Sequence, residues 1–177
     1  MPKKRIAIDM DEVMTDSIGR FIQIYQEEYN EDLSDLRLPG RTLRNTVPPD
    51  RLEAVLQYPH RAEFFKDLPI KEGCAEVMRQ LNEKHEVFIA TAAMEFELCF
   101  NDKFNWLKQH VPFIPWTHIV FCGDKSIIGT DYLIDDSERN LKSFNGTPLV
   151  FTAPHNTHLT EYTRLNNWQE VAEYFLK

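Results

Sequence analysis

Short apolar segments alternate along this chain with segments whose apolar residues follow helical spacing, and this alternation limits the fold more than any other feature. The predicted strands are RIAID (5–9), HEVFIAT (85–91), HIVFC (118–122), DYLID (131–135) and TPLVF (147–151). Strands that alternate with helices form a parallel sheet covered by helices on both faces. We therefore predict an α/β fold with a Rossmann-like parallel sheet.

The segment between the first two predicted strands departs from this alternation. Residues 30–71 are polar and interrupted by prolines, with a short helix predicted around 50–57. The whole stretch is too long for an ordinary connection between a strand and a helix. We predict a small helical cap over 16–71, inserted into a core formed by 1–15 and 72–177.

Composition narrows the classes of partner. With 20 basic and 28 acidic residues among 177, the formal charge is −8, which argues against nucleic acid as the main partner. We find no run of about 18 apolar residues, so no membrane span is expected. The three cysteines are widely spaced, as expected for reduced thiols in the cytoplasm. The oligomeric state stays open, and a homodimer is compatible with the sequence.

Polar side chains collect where the predicted strands end, which is where open parallel sheets bind ligands. The residues at these ends are Asp9 and Asp11, Thr91, Lys125, and Asp135 and Asp136. Carboxylate oxygens suit Mg²⁺, which also contacts substrate phosphate. A hydroxyl and an ammonium group can bind phosphate oxygens. Taken singly, each residue is equally explained as a turn former, a helix cap or a solvated side chain.

Charge balance favours a divalent cation at these strand ends. Four aspartates and a phosphate dianion together carry far more negative charge than Lys125 can neutralise. Two like charges about 4 Å apart repel by about 4 kcal/mol at an effective dielectric constant near 20. We therefore expect Mg²⁺ as the cofactor.

The motifs DMDEV, IATAA, GDKSII and LIDDS, in this order, resemble the four motifs of the haloacid dehalogenase (HAD) superfamily of phosphotransferases. The predicted insertion matches the position of a type 1 cap in that superfamily. Further stretches, including FFKDLPIKEGCAEVMRQL and DKSIIGTDYLIDD, resemble the 5′(3′)-deoxyribonucleotidase family, the cytosolic type C deoxy-pyrimidine 5′-nucleotidases. The resemblance covers roughly residues 5–151.

The resemblance implies specific roles for the four aspartates. Asp9 would be the nucleophile that forms an aspartyl-phosphate, and Asp11 would be the general acid and base. Asp9, the main-chain carbonyl of Asp11 and Asp135 would bind Mg²⁺. Asp136 would support the water molecules around the metal.

The resemblance also implies which residues bind phosphate. Thr91 and Lys125 would hold the oxygens of the transferring phosphoryl group, and Lys103 matches a family lysine near the phosphate. Ala92 and Ala93 stand where the family has a more polar Ser-Pro pair, so one phosphate hydroxyl is missing.

The cap segment RLPGRTLRNTV lacks the aromatic pair that stacks on a pyrimidine base in family members. Arg41 and Arg44 are therefore candidate substrate contacts, and Tyr58 is a further candidate in the cap.

Two more carboxylates follow the first motif. Glu12 stands where many family members have glycine, and we expect its side chain to point away from the phosphate. Thr15 or Asp16 is expected to cap the helix that begins near residue 18, and a role for Asp16 behind the metal ligands is the alternative.

Other interpretations fit the residues less well. A bacterial receiver domain uses similar residues in a different order and has no place for the 16–71 insertion. A dehalogenase would lack Asp11, and a non-catalytic phosphate-binding module would keep a costly cluster of charges without using it. His155 and His158 lie three residues apart without a third ligand nearby, so we interpret them as residues of a surface loop.

The hypothesis from sequence is a cytoplasmic, Mg²⁺-dependent phosphatase that acts on a small phosphorylated metabolite. A nucleoside monophosphate is the expected substrate. A phosphatase for another small phosphoester is the alternative enzyme, and the base, sugar and 5′ or 3′ preference are left open.

Overall fold

A six-stranded parallel sheet forms the centre of the computed structural model, which describes residues 2–177. The strands are β1 (Arg5–Ile8), β2 (Glu86–Thr91), β3 (Ile119–Phe121), β4 (Tyr132–Asp135), β5 (Thr147–Phe151) and β6 (Thr163–Leu165). Their order across the sheet is β3-β2-β1-β4-β5-β6, and every neighbouring pair is parallel. The predicted α/β class is confirmed, and β6 is a strand that the sequence did not predict.

Seven α-helices accompany the sheet in the described part of the chain. They are α1 (Ser17–Tyr29), α2 (Leu43–Thr46), α3 (Pro49–Leu56), α4 (Cys74–Lys84), α5 (Cys99–His110), α6 (Glu138–Ser143) and α7 (Trp168–Leu176). Helices α4 and α7 contact each other, and their apolar residues face the sheet as the periodicity predicted. On the opposite face, Leu141 of α6 and Phe144 just after it pack against residues of the sheet, so both faces are covered, as a parallel sheet requires.

Strand β1 lies inside the sheet and contributes to the core on both faces. Ile6 and Ile8 belong to the large apolar cluster on one face, whereas Ala7 packs with Ala90 and Leu133 on the other. All five side chains are completely buried. This burial fixes the position at which the chain leaves β1 and enters the loop that begins with Asp9.

The chain leaves the sheet after β1 and returns before α4, and the two crossings are bonded to each other. The amide of Asp16 donates to the carbonyl of Pro69 at 2.9 Å, and the amide of Lys71 donates to the carbonyl of Met14 at 2.8 Å. Thr15 and Ile70 form an antiparallel bridge between these bonds. We call residues 16–71, which contain α1, α2 and α3, the inserted segment.

Of the two candidates, Thr15 and Asp16, it is Asp16 that caps α1. Its side chain accepts from the amide of Gly19 at 3.0 Å and forms a bidentate pair with Arg37 at 3.0 and 2.6 Å. A Cβ atom at Gly19 would lie 2.8 Å from the Arg37 guanidinium and closer still to the Asp16 carboxylate. A side chain at position 19 would therefore push this ion pair aside.

None of the helices formed by residues 2–177 combines the length and apolar character needed to cross a membrane. Cys74, Cys99 and Cys122 are buried free thiols.

Candidate active site

The aspartates at the ends of β1 and β4 lie together because these strands are neighbours in the sheet. Asp9 directly follows β1, Asp135 is the last residue of β4, and Asp136 follows it. One carboxylate oxygen from each of the three lies within 4.8 Å of the others. All three residues are buried. Buried oxygen ligands in a compact group fit a hard divalent cation.

Lys125 joins this group from the turn after β3. Its ammonium nitrogen lies 2.6 Å from Asp9 Oδ1 and 2.6 Å from Asp135 Oδ2, and the residue is completely buried. Burial acts to lower the pKa of Lys125, but the carboxylates of Asp9 and Asp135 outweigh it and raise this pKa on balance. Asp135 also accepts from the amide of Ser137 and the side chain of Asn140.

Burial raises the pKa of each aspartate in the group. The pKa of Asp9 rises from 3.8 to about 7, because desolvation disfavours its charged form and outweighs the attraction of Lys125. Desolvation likewise raises the pKa of Asp135 and of Asp136. A cation among these oxygens would restore their charged forms, so the donor set and its electrostatics both fit a metal ion.

Asp11 lies beside a second buried lysine. Lys103, on α5, donates to a carboxylate oxygen of Asp11 and to Thr91 Oγ1, the latter at 2.9 Å. The Lys103 ammonium also lies 4.4 Å from the centre of the Phe65 ring. The other oxygen of Asp11, Oδ1, is buried and has no hydrogen-bond partner among residues 2–177. An unpaired buried acceptor at this point fits a group that awaits a proton or a ligand.

Glu12 does not point away from the site, so this expectation is wrong. The residue lines the same cavity as Asp11 and is 6% exposed. Its carboxylate accepts from Ser17 Oγ and the Ile18 amide, and lies 3.3 Å from Lys71 Nζ. Because Lys71 is about 60 residues away in sequence, its proximity could not be read from the local pattern.

The position of Glu12 also changes the charge balance that the sequence predicted for the site. Five carboxylates now face three buried or half-buried lysines, since Glu12, Lys71 and Lys103 join the four strand-end aspartates and Lys125. Two negative charges remain before phosphate is counted. A bound phosphate dianion would add to this negative charge, which favours a divalent cation beside it.

His155 is a site residue that sequence reasoning missed. Its Nε2 lies 3.2 Å from Asp136 Oδ2, and it lines the cavity. Buried Asn156 holds this loop by donating to the carbonyls of Asp136 and Phe151. His158, in contrast, is an exposed residue near Glu138, so the surface-loop interpretation is wrong for His155 only. The sequence feature that could have indicated His155 is its place just after a strand end, because residues 152–154 directly follow β5.

A cavity of about 510 Å³ opens between the strand ends and the inserted segment. Its lining includes Asp11 and Asp136 at the strand ends and Arg41 and Arg44 of the inserted segment. The Gly40 amide, next in sequence to the lining residue Arg41, donates to the Pro154 carbonyl at 2.8 Å.

Tyr58 is not among the residues that line this cavity, so the expectation that it contacts substrate is corrected. Its side chain is completely buried within the inserted segment, where its hydroxyl donates to Glu28 at 2.7 Å and its ring packs under Arg61. Tyr58 belongs to the inserted segment, as the sequence indicated, but its side chain faces the interior of that segment.

Comparisons with known proteins agree with this arrangement. Residues 3–177 match the family model described as 5′ nucleotidase, deoxy (Pyrimidine), cytosolic type C protein. A protein of Staphylococcus aureus (strain Mu50) named "Putative 5′(3′)-deoxyribonucleotidase" is 40% identical over 178 residues, covering 99% of this chain and 97% of that one. The 5′(3′)-deoxyribonucleotidase of Bacillus subtilis (strain 168) is 34% identical over 177 residues, covering 98% and 99%.

The fold also resembles that of solved structures. A HAD family hydrolase from Deinococcus radiodurans R1, crystallised with bound phosphate and sodium, superimposes with a TM-score of 0.65 at 17% identity. The similarity covers 98% of this chain and 95% of that one. At this identity the likeness concerns the fold, and it agrees with the parallel sheet described above.

Proposed function

Because this chain belongs to the cytosolic type C family of deoxy-pyrimidine 5′-nucleotidases and is thus a phosphoric monoester hydrolase, we propose that it releases phosphate from deoxyribonucleoside monophosphates through a covalent intermediate on Asp9. The observation that carries the proposal is the position of Asp9. Its buried carboxylate lies beside Lys125, Asp135 and Asp136 at the carboxyl ends of the central strands. The family's description as cytosolic supports a cytoplasmic location.

Asp9 would act as the nucleophile. A carboxylate oxygen attacks phosphorus, and the bond between phosphorus and the nucleoside oxygen breaks, which divides one difficult displacement into two easier ones. The ammonium groups of Lys125 and Lys103, with the hydroxyl of Thr91, would bind the phosphoryl oxygens on which charge accumulates. The contacts of Lys103 with Thr91 and of Lys125 with Asp9 support this assignment.

Asp11 would serve as general acid and then as general base. In the first step its proton passes to the leaving nucleoside oxygen, and in the second it accepts a proton from the water that attacks phosphorus and frees Asp9. The support is its geometry: one oxygen is paired with Lys103, whereas the buried Oδ1 is free to carry the proton.

Mg²⁺ is the proposed cofactor. Asp9, Asp135 and the main-chain carbonyl of Asp11 would hold it, and Asp136, whose carboxylate belongs to the same compact group, would support its water molecules. When bound, the ion supplies positive charge that balances the carboxylates and the phosphate.

We propose that the inserted segment is a cap domain that covers the site and selects the substrate. Arg41 and Arg44 line the same cavity as Asp11 and would contact the nucleoside part of the substrate. The core domain would then consist of 1–15 and 72–177.

A panel of nucleotides and sugar phosphates tests the proposal. Phosphate release is measured for 5′ and 3′ deoxyribonucleotides, ribonucleotides and sugar phosphates, each with Mg²⁺ and with EDTA. We expect Mg²⁺-dependent release that is faster from deoxyribonucleoside monophosphates than from sugar phosphates. If no nucleotide in the panel is hydrolysed, the proposed substrate class is wrong. If phosphate release continues unchanged in EDTA, the proposed Mg²⁺ cofactor is wrong.

A further inference from the structure

Glu12 adopts a backbone conformation that does not favour its residue type. Its φ angle is 55°, in the left-handed region where glycine is preferred because a Cβ atom is crowded. The residue directly follows Asp11, so its conformation determines how the loop leaves that aspartate. A glutamate at this position must be held there by contacts of its side chain.

The Glu12 carboxylate makes those contacts in a buried position. Oε1 accepts from Ser17 Oγ at 2.8 Å and from the Ile18 amide at 2.7 Å. Both donors belong to the first turn of α1, where amides lack partners within the helix and the helix dipole favours negative charge. Oε2 lies 3.3 Å from Lys71 Nζ.

These contacts join three separate parts of the chain. Glu12 belongs to the loop after β1, Ser17 and Ile18 begin the inserted segment, and Lys71 lies where that segment returns to the sheet. The main-chain bond from Lys71 to Met14 lies at the same junction. One buried carboxylate therefore spans both crossings between the inserted segment and the sheet.

The residue after Glu12 is also fixed. The carbonyl of Val13 accepts from the indole N–H of Trp168 at 3.0 Å. With Glu12 held through its side chain and Val13 through its carbonyl, little freedom remains in the loop that carries Asp11.

From these contacts we propose that Glu12 is a positioning residue, which fixes the direction of the Asp11 carboxylate and the orientation of α1 above the cavity. This inference rests on the proposed function, since it assigns Asp11 the proton transfer. Glu12 itself transfers no proton in this scheme and acts only through Asp11 and α1.

Three variants at this position test the proposal, with kcat and KM measured on a deoxyribonucleoside monophosphate, whose alkoxide leaving group needs the Asp11 proton. In Glu12→Ala we expect kcat to fall about 10- to 100-fold, because small misplacements of reacting groups cost this much. Glu12→Gln should recover most of the lost kcat, since its amide oxygen still accepts from Ser17 and Ile18. Glu12→Gly relieves the left-handed backbone, so it should fold while kcat falls as in Glu12→Ala.

Two further measurements separate positioning from general stability. Hydrogen exchange of the Ile18 amide should speed up in Glu12→Ala and not in Glu12→Gln. Glu28→Ala is the matched control for Glu12→Ala, because Glu28 is likewise bound by a hydroxyl and a cation, those of Tyr58 and Arg61, within the inserted segment. This control should lose stability without losing kcat.

The proposal fails if Glu12→Gly keeps the wild-type kcat, or if Glu12→Gln loses as much as Glu12→Ala. Failure of the proposed function is a different result: the wild-type protein would release no phosphate from any ester. The exchange of the Ile18 amide would still report in that case whether Glu12 holds α1.

Discussion

The indole N–H of Trp168 donates to the carbonyl oxygen of Val13 at 3.0 Å, across a separation of 155 residues. Trp168 is the first residue of α7, and Val13 lies in the loop that carries Asp9 and Asp11. Both residues are buried. The last helix of the chain therefore supports the loop that follows the first strand.

Trp168→Phe should lower the free energy of unfolding by about 1–3 kcal/mol, because the buried Val13 carbonyl loses its donor. Urea denaturation measures this change. The matched control is Trp116→Phe, since Trp116 is 77% exposed and surface changes of this kind stay within about 0.5 kcal/mol. Equal changes in the free energy of unfolding for the two substitutions would show that the hydrogen bond to Val13 does not stabilise the fold.

Asp9→Asn should lower kcat by about 10⁴-fold or more, since the amide cannot act as the nucleophile. The fold should persist, because the amide keeps the size of the side chain and removes a charge that burial disfavours. Phosphate release and circular dichroism test the two parts. Asp35→Asn, at an exposed position, is the control and should be fully active. Substantial turnover by the Asp9 variant would exclude the covalent route.

Mg²⁺ should stabilise the protein more above about pH 7 than below about pH 5. The pKa of Asp9 is raised from 3.8 to about 7 by burial, so the folded state holds this proton more tightly than the unfolded state. The contribution of this proton to the free energy of unfolding is fully present below pH 3.8 and is lost as the pH rises through about 7. In that higher range the carboxylate is free to bind the cation.

Melting temperatures with Mg²⁺ and with EDTA, measured across this pH range, test the expectation. In Asp9→Asn the dependence on pH should be weaker. A Mg²⁺ effect of constant size at every pH would contradict it.

Lys103→Met should reduce kcat/KM by about 100-fold, in the range seen when a group that stabilises transition-state charge is removed. The ammonium group is completely buried and contacts both Asp11 and Thr91, so no water can replace it without rearrangement. Lys108→Met changes an exposed lysine further along the same helix and should leave kcat/KM unchanged. Similar losses in both variants would point to helix stability as the cause.

Arg37→Met should destabilise the protein by about 1 kcal/mol near neutral pH, as expected for a partly exposed ion pair. Burial acts to raise the pKa of Asp16, but hydrogen bonds from Arg37 and Gly19 lower it on balance below 3.8. The pair therefore stabilises the fold above that pH and is lost as the pH falls through the folded-state pKa. In denaturation experiments near pH 7 and near pH 2, the difference between wild type and variant should be smaller at the lower value.

The sheet and the strand-end aspartates could be predicted because their signals are local. Each strand is a short apolar run, and each polar residue stands directly after one, so the parallel topology alone brings Asp9 and Asp135 together. Strand β6 was missed because its three residues include only one that is buried, Leu165, which leaves no apolar run to detect.

The contacts of Glu12 and His155 depend instead on how distant loops meet. Glu12 is neutralised by Lys71, and His155 reaches Asp136 from the loop after β5. Neither partner is visible in sequence spacing. The environment of Tyr58 could not be predicted for a different reason: a polar aromatic residue of the inserted segment can either face a cavity or be buried, as Tyr58 is against Glu28.

The paired crossings at Asp16–Pro69 and Met14–Lys71 place the two ends of a helical segment side by side. A segment that leaves and re-enters at one point can be lengthened, shortened or exchanged without altering the register of the sheet beneath it. Evolution could therefore change what such a hydrolase selects while leaving its reacting groups in place, and a protein engineer could graft a different segment onto the same two positions.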